Sequence, residues 1–159
     1  MDDTGVSMEN ITQTTLINCT LEELFNFHLD TNNIKKITPK HTKVELIDYE
    51  EKTYEGKIIK LKTTRAFVPI NWIVKIEKFQ YPNLMVDVAI KSPFAFWEHK
   101  HIFTQKGSMC ELQDSIKFAL PFGIFGKLIT PFIKKDIKKM FEYRHLKTKM
   151  LLEDKSCNL

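Results

Sequence analysis

The chain has 159 residues, enough for one domain over residues 1–159 with a hydrophobic core that needs neither disulfide nor metal support. Hydrophobic residues make up 43% of it and charged residues 28%, a composition that excludes a disordered or fibrous protein. The formal net charge of +4 is modest, and most lysines are spread among acidic residues, so a nucleic-acid-binding protein is not predicted.

The N-terminal part of the chain predicts one strand followed by two helices. Residues Asn10–Asn18 are rich in Thr and Ile and indicate the strand. Thr20 with Glu23 three residues later forms a capping-box pattern, so a helix is expected to begin there. A short second helix is expected to restart at Asp30-Thr31 and to end before Pro39. The apolar side of the first helix is formed by Leu21, Leu24, Phe25 and Leu29.

The central part, from His41 to Leu120, predicts six antiparallel strands. Turn residues divide this part at Tyr49–Lys52, Arg65–Pro69, Tyr81–Asn83, Ser92-Pro93 and Lys106-Gly107. No interval holds a crossover helix, so a parallel sheet is not expected. The alternation of apolar and polar side chains along these strands predicts a sheet with one buried face and one solvent-exposed face. We assign two apolar sets to the strand faces: Ile70, Trp72, Val74 and Ile76 to one, and Leu84, Val86, Val88 and Ile90 to another.

The C-terminal part, from Ile124 to about Glu153, predicts one long helix in which Pro131 would produce a bend. The lysine face opposite its apolar face includes Lys134, Lys135, Lys138 and Lys139. A twisted sheet that wraps this helix leaves a gap where the two diverge, and the gap is the candidate binding site. The predicted apolar face consists of Phe125, Leu128, Ile129, Phe132, Ile133, Ile137, Met140 and Phe141.

This α+β order, β-α-α-β6-α, resembles the helix-grip fold of the START/SRPBCC superfamily, also called Bet v 1-like, in which a curved antiparallel sheet wraps a long C-terminal helix. The run Ser92–Phe103, then Asp114, Leu120–Gly123 and Met140–Arg144, is similar to the bacterial polyketide cyclase/dehydrase-like branch. The early Phe27-His28 to Pro39 segment is similar too, so the resemblance covers nearly the whole chain. It implies the fold and a ligand cavity. Superfamily members include lipid and hormone binders, ubiquinone-binding proteins, aromatic cyclases and chaperone activators, so no single activity is implied.

Two histidines form the clearest chemical motif. His99 and His101 lie two residues apart on a predicted strand, so both imidazoles face the same side as Trp97 and Phe103. A metal site would need further ligands, but Glu98 points to the other face and no Cys or Glu is evidently placed to join, so the set is incomplete. We therefore predict no metal and no cofactor, and interpret the histidines as hydrogen-bonded among aromatic residues or as candidate bases.

The hairpin at Lys106-Gly107 predicts the partner of these histidines. If Gln105 pairs with Ser108, then His99 lies opposite Asp114, where a lone buried carboxylate needs a partner. A structural pair predicts that Asp114→Asn lowers the melting temperature. A catalytic or ligand-binding pair predicts lost function with stability nearly kept.

The ligand-binding candidates are mainly aromatic, since Phe occurs 12 times against 4 Tyr and 2 Trp. Arg144 would either anchor a ligand carboxylate or, by the interpretation we favour, snorkel to solvent or pair with a structural acid. Neither a G-x-S-x-G turn nor a phosphate loop occurs. The predicted ligand-binding set is Trp72, Trp97, His99, His101, Phe103, Phe118 and Arg144.

Three functions remain open at this level. We favour the binding of a small hydrophobic molecule such as a lipid or polyketide, because the catalytic set is incomplete. The alternatives are a cyclase/dehydrase-type enzyme that uses His99 and Asp114, and a protein-interaction module. The lysine face, beside Phe122, Ile124 and Phe125, would make weak contact with anionic membranes. Three cysteines without a signal peptide favour the reducing cytoplasm: Cys19, Cys110 and Cys157.

Overall fold

The computed structural model describes residues 7–48, 52–121 and 123–156, and for residues 124, 155 and 156 it describes the backbone only. The predicted order is confirmed over these residues. Most of the predicted turn at Tyr49–Lys52 lies outside them, as do Phe122, Cys157 and the side chain of Ile124. The elements are β1 (Met8–Ile17), α1 (Leu21–Leu29), α2 (Asn33–Ile37), β2 (Thr42–Ile47), β3 (Ile58–Arg65), β4 (Val68–Gln80), β5 (Leu84–Lys91), β6 (Phe96–Lys106), β7 (Met109–Ala119) and α3 (Gly123–Ser156).

The strands form one antiparallel sheet in the order β1-β7-β6-β5-β4-β3-β2. The sheet curls around α3 as a half-barrel, which confirms the helix-grip architecture. Register shifts in the β4–β5 ladder, between Ile73 and Val74 and between Ile76 and Lys78, are irregularities of the kind that bends a strand. At one end of the strand order β1 packs against α3, and at the other end β2 packs against α2, which in turn contacts α3.

The predicted capping box starts α1. The Thr20 amide donates to Glu23 Oε2 at 2.8 Å, and the Glu23 amide donates to Thr20 Oγ1 at 3.2 Å. The second helix begins at Asn33, later than predicted, because Asp30 Oδ1 accepts the Asn32 amide at 3.0 Å in a local turn. The N-terminal half of the fold is thus fixed by local hydrogen bonds.

The β6–β7 hairpin corrects the predicted register by two residues. Its two-residue loop is Gly107-Ser108 rather than Lys106-Gly107, so Lys106 pairs with Met109. Gly107 has φ +62°, the conformation that a tight loop of this kind requires at its first position. His101 is therefore opposite Asp114, and His99 is opposite Ile116. An even shift keeps every side chain on its predicted face.

Strand β5 corrects a second expectation. Asp87 pairs with His99 and Met85 pairs with His101, so Met85 and Asp87 share the concave face with the histidines. The predicted set of Leu84, Val86, Val88 and Ile90 does share a face, but it is the outer one, and Ile90 is 60% exposed. The strand thus brings a carboxylate to the concave side.

Helix α3 is only partly covered by the sheet. Ile137 and Phe141 are buried as predicted, whereas Phe125 is 77% and Phe132 75% exposed. A helix of 34 residues is about 50 Å long, and β1, on which it packs, has 10 residues and spans roughly 33 Å. The first turns therefore extend beyond the sheet. Within the described ranges, no helix has both the length and the apolar character that a membrane span needs.

Candidate functional site

A cavity of about 530 Å³ lies between the concave face of the sheet and α3, as predicted. This volume is within the range of small-molecule sites in proteins. Its wall is contributed by β3, β4, β5, β6, α2 and α3 and is apolar over most of its area. The apolar wall includes Leu61, Ile70, Trp72, Val74, Ile76, Trp97, Ile133, Ile137 and Phe141.

Five of the seven predicted ligand-binding residues line this cavity: Trp72, Trp97, His99, His101 and Arg144. The other two do not. Phe103 is 1% exposed and packs against Phe25 under α1, with ring centroids 5.1 Å apart. Phe118 is fully buried behind Phe94, at 5.6 Å. Both side chains lie on the concave face of the sheet as predicted, but other side chains cover them, so they belong to the hydrophobic core.

Asp114 is the centre of a buried polar cluster in the cavity wall. Asp114 Oδ1 lies 2.9 Å from His101 Nδ1 and 3.2 Å from His99 Nε2, and Asp114 Oδ2 accepts a hydrogen bond from His145 Nε2 at 3.0 Å. His145 Nδ1 in turn contacts Thr15 Oγ1 at 2.9 Å. The two contacts of Oδ1 have ion-pair distances without the alignment of hydrogen bonds. The predicted partnership of His99 with Asp114 is present, with two further imidazoles added.

Asp87 closes the other side of the histidine pair. Its Oδ2 atom lies 3.4 Å from His99 Nδ1 and 3.4 Å from His101 Nε2. The two rings, with centroids 3.8 Å apart, are thus held between two carboxylates. The sequence-based conclusion that the ligand set is incomplete considered only Cys and Glu, and it is wrong because Asp87 joins the two histidines and all three line the cavity.

Sequence reasoning missed Asp87 and His145, although each left a signal. Asp87 lies two residues after Met85 on β5, so the two side chains are expected on the same face of the strand. His145 lies four residues after Phe141 and eight after Ile137, so it continues the buried stripe of α3. Both are polar residues at apolar-face positions.

The charges of the cluster are strongly coupled. Burial opposes ionisation of Asp114, but the charges of His101 and His99 outweigh it and hold the pKa of that carboxyl well below its usual range. The pKa of Asp87 is likewise held below its usual range, by His99 and His101 against burial. Burial would lower the pKa of His101, but Asp114 and Asp87 raise it to about 9. The cluster therefore contains two carboxylates that require positive charge between them.

Arg144 brings a further cation to the cavity. Its guanidinium lies over the Phe141 ring, 5.1 Å from the centroid, and its buried Nε atom has no hydrogen-bond partner among the described residues. Burial lowers the pKa of the guanidinium, although Asp114 and Asp87 act against this effect. Arg144 is half-buried and forms no salt bridge with an acid of the described ranges, so the choice between anchoring a ligand and snorkelling stays a prediction. An N–H donor without a partner at a cavity wall can donate a hydrogen bond to a ligand oxygen.

An ion pair links the two sides of the cavity near α3. Arg65 at the end of β3 and Asp136 on α3 both line the cavity, and Arg65 Nη2 donates to Asp136 Oδ1 at 3.0 Å while Nη1 donates to Oδ2. Both side chains are about half exposed, at 50% and 48%. The pair therefore lies at the solvent side of the cavity.

Solved structures of similar shape show the fold. The protein TTHA0849 from Thermus thermophilus has 15% identity and a TM-score of 0.74, over 93% of this chain and 99% of that one. ZhuI aromatase/cyclase from Streptomyces sp. R1128 has 12% identity and a TM-score of 0.73, over 92% and 94%. Norcoclaurine synthase from Thalictrum flavum has 12% identity and a TM-score of 0.72, over 95% and 98%. No protein-family model and no curated protein matches the sequence.

Proposed function

We propose that this chain, which has the helix-grip fold, binds a small apolar molecule that carries one oxygen-rich polar group. One observation carries the proposal: the cavity of about 530 Å³ has a mostly apolar wall, and Arg144 and the buried Asp87–His99–His101–Asp114 cluster face it together. The apolar body of a ligand would contact residues such as Trp72 and Trp97. Its carbonyl or carboxylate oxygen would take hydrogen bonds from Arg144, which lacks a partner for its Nε donor.

The test compares two probes that differ only in the polar group. Dodecanoate and dodecanol compete against the dye ANS for the purified protein. We expect both to displace ANS because they share an apolar chain, and we expect dodecanoate to bind more tightly. Arg144→Met keeps the apolar stem and should remove the preference for the carboxylate. Lys127→Gln, a change of the same charge at an exposed position of α3, is the matched control.

Two results would contradict the proposal. Failure of ANS to bind the native protein would mean that no apolar probe enters the cavity. Equal affinity of the two probes in the unmodified protein would mean that the polar residues of the cavity do not distinguish a carboxylate from a hydroxyl group. Native mass spectrometry of protein from its own host, with extraction of any retained molecule, would then identify the physiological ligand.

We further propose that the ligand enters from an anionic membrane surface. The overhanging start of α3 presents Phe125, Leu128 and Phe132 at helical spacing, each at least 68% exposed. Phe67, at the tip of the β3–β4 hairpin that carries Arg65, is 99% exposed. Lysines follow on α3, although Lys134 already pairs with Glu9 at 2.8 Å. Apolar side chains beside cations fit an anionic lipid surface. A partner protein at the same stripe is the competing outcome, and the cytoplasmic location stays a prediction.

An enzyme remains the second candidate, because two imidazoles and two carboxylates line a cavity that would hold an enolisable carbonyl compound. Exchange of the acidic protons of a model 1,3-diketone in D₂O, followed by NMR in the presence of a chelator, tests it. Acceleration that is lost in His101→Gln would favour proton transfer. Exchange at the rate of the buffer would leave ligand binding as the function.

A further inference from the structure

The two histidines of β6 each present one ring nitrogen to each of two carboxylates. His99 Nε2 and His101 Nδ1 face Asp114, and His99 Nδ1 and His101 Nε2 face Asp87. A neutral imidazole carries a proton on only one nitrogen. If that proton points to Asp114 in both rings, the two remaining lone pairs converge on Asp87 Oδ2. Three electron-pair donors that converge on one point are stabilised by a cation there, which is either a proton on one of the rings or a metal ion.

The distances on the Asp87 side fit a metal ion better than they fit hydrogen bonds. Both nitrogen–oxygen distances are 3.4 Å, longer than the roughly 2.7–3.2 Å of a normal N–H···O bond. Two ligand atoms bound to one ion at about 2.1 Å with a tetrahedral angle lie about 3.4 Å apart. The three ligand atoms all lie within 4.8 Å of one another. The side chains are therefore spaced for shared coordination without rearrangement of the strands.

We propose that Asp87, His99 and His101 form a binding site for a divalent transition-metal ion, with Zn²⁺ as the first candidate. Two imidazoles and one carboxylate are a ligand set that suits Zn²⁺ and neighbouring first-row ions. All three ligands line the cavity, so the remaining coordination position faces the space that a ligand would occupy. The site does not depend on the identity of the apolar ligand.

Asp114 is the positioning residue of this site. A histidine that binds metal usually donates its other N–H to a carboxylate, which fixes the tautomer and the ring orientation. Asp114 Oδ1 lies at ion-pair distance from the second nitrogen of both rings, where it would accept their N–H groups once metal binding orients the rings, and His145 holds Asp114 through its second oxygen. Asp114 therefore acts through the two histidines and does not itself contact the ion.

The charge balance also indicates what the open position would take. Two carboxylates against a divalent ion and the Arg144 guanidinium leave one positive charge in the buried cluster. An anionic oxygen, such as a carboxylate or an enolate, would neutralise it. The site thus favours an acidic ligand oxygen over a neutral hydroxyl.

The experiment uses the full chain without a histidine tag, after metal removal with a chelator. Titration calorimetry with Zn²⁺ should give one ion per chain, and the melting temperature should rise by about 5–10 °C at a free Zn²⁺ concentration near 100 times the dissociation constant. Co²⁺ is the spectroscopic probe and should show visible absorption bands of a low-coordinate nitrogen and oxygen site. Asp87→Asn should abolish both signals, whereas His41→Gln, at an exposed histidine, should retain them.

The variant Asp114→Asn tests whether Asp114 orients the two histidines for metal binding or only fills space in the core. We expect it to lower Zn²⁺ affinity by about 10–100-fold and to alter the Co²⁺ spectrum while circular dichroism still shows a folded chain. If Asp87→Asn does not fold, the Co²⁺ spectrum of the unmodified protein still decides, because absent bands overturn the proposal. Metal binding that survives Asp87→Asn would also overturn it. In both cases protons, rather than a metal, would neutralise the cluster. The ANS competition would still test ligand binding, because it does not depend on a metal.

Discussion

Substitution of Asp114 by Asn tests whether the buried carboxylate stabilises the fold. Asn has nearly the same shape, so the change removes the negative charge without making a cavity. The Asp114 oxygens face three imidazole nitrogens at 2.9, 3.0 and 3.2 Å. In the variant, an amide NH₂ must replace one oxygen and will point toward at least one ring N–H. The variant therefore loses charge attraction and gains a contact between donors.

The expected loss follows from these contacts. The His145 contact is a hydrogen bond to a charged group, which contributes about 1.5–3 kcal/mol against about 0.5–1.5 kcal/mol for a neutral one, so it loses about 1 kcal/mol. The two Oδ1 contacts are ion-pair contacts in a buried site, and loss of their charge attraction costs about 1 kcal/mol each. The total, about 3 kcal/mol, agrees with the roughly 3–5 kcal/mol measured when one partner of a buried ion pair is removed. For a domain of this size, that corresponds to a melting temperature lower by about 6–12 °C.

The assay is thermal unfolding followed by circular dichroism, with a chelator present so that no metal contributes. Glu98→Gln is the matched control, because Glu98 is on the outer face of the same sheet and contacts Lys100 at 3.2 Å near solvent. We expect that control to change stability by less than about 0.5 kcal/mol. If Asp114→Asn melts no lower than the control, the carboxylate does not stabilise the cluster, and loss of ANS competition alone would mark it as functional.

Three further predictions concern the cavity entrance, the thiols and the lysine face. Arg65→Gln should speed the release of bound ANS in stopped-flow measurements but change stability by less than about 1 kcal/mol, because its pair with Asp136 is half exposed; unchanged release would place the entrance elsewhere. Cys19 should react with iodoacetamide far more slowly than free cysteine in a Cys157→Ser background, because burial, followed by Cys110 and Glu23, raises its pKa to about 12; rapid alkylation by mass spectrometry would refute this. Replacing the four lysines Lys134, Lys135, Lys138 and Lys139 by Gln should reduce co-sedimentation with phosphatidylserine vesicles at low salt, with phosphatidylcholine vesicles as control, and unchanged binding would mean a merely solvated face.

The sequence alone predicts the elements and their order correctly. Three short patterns have a local cause: the capping box at Thr20, the turn at Gly107, and the shared face of Trp72, Val74 and Ile76. Such patterns depend on hydrogen bonds and side-chain spacing within a few residues. The prediction that His99 and His101 share the face of Asp114 is confirmed for the same reason, since alternation along a strand fixes the face.

The details of the site could not be predicted in the same way. A two-residue loop at Lys106-Gly107 and one at Gly107-Ser108 give registers that differ by two residues and therefore the same faces, so alternation did not distinguish His101 from His99 as the residue opposite Asp114. On β5, Val86 and Val88 favoured the wrong face, because their hydrophobicity is local information while the inward direction is set by pairing with β6. The start of α3 has an apolar pattern that the sheet does not reach.

What the sequence determined, therefore, is which residues form helices and strands and which side chains share a face. What only the tertiary structure decided is which faces meet: His145 from α3, Asp87 from β5 and Asp114 from β7 converge on the histidines of β6. Their meeting depends on strand register and on the packing of a helix across the sheet. Those are set by the burial of the whole core, and no short segment of the chain carries that information.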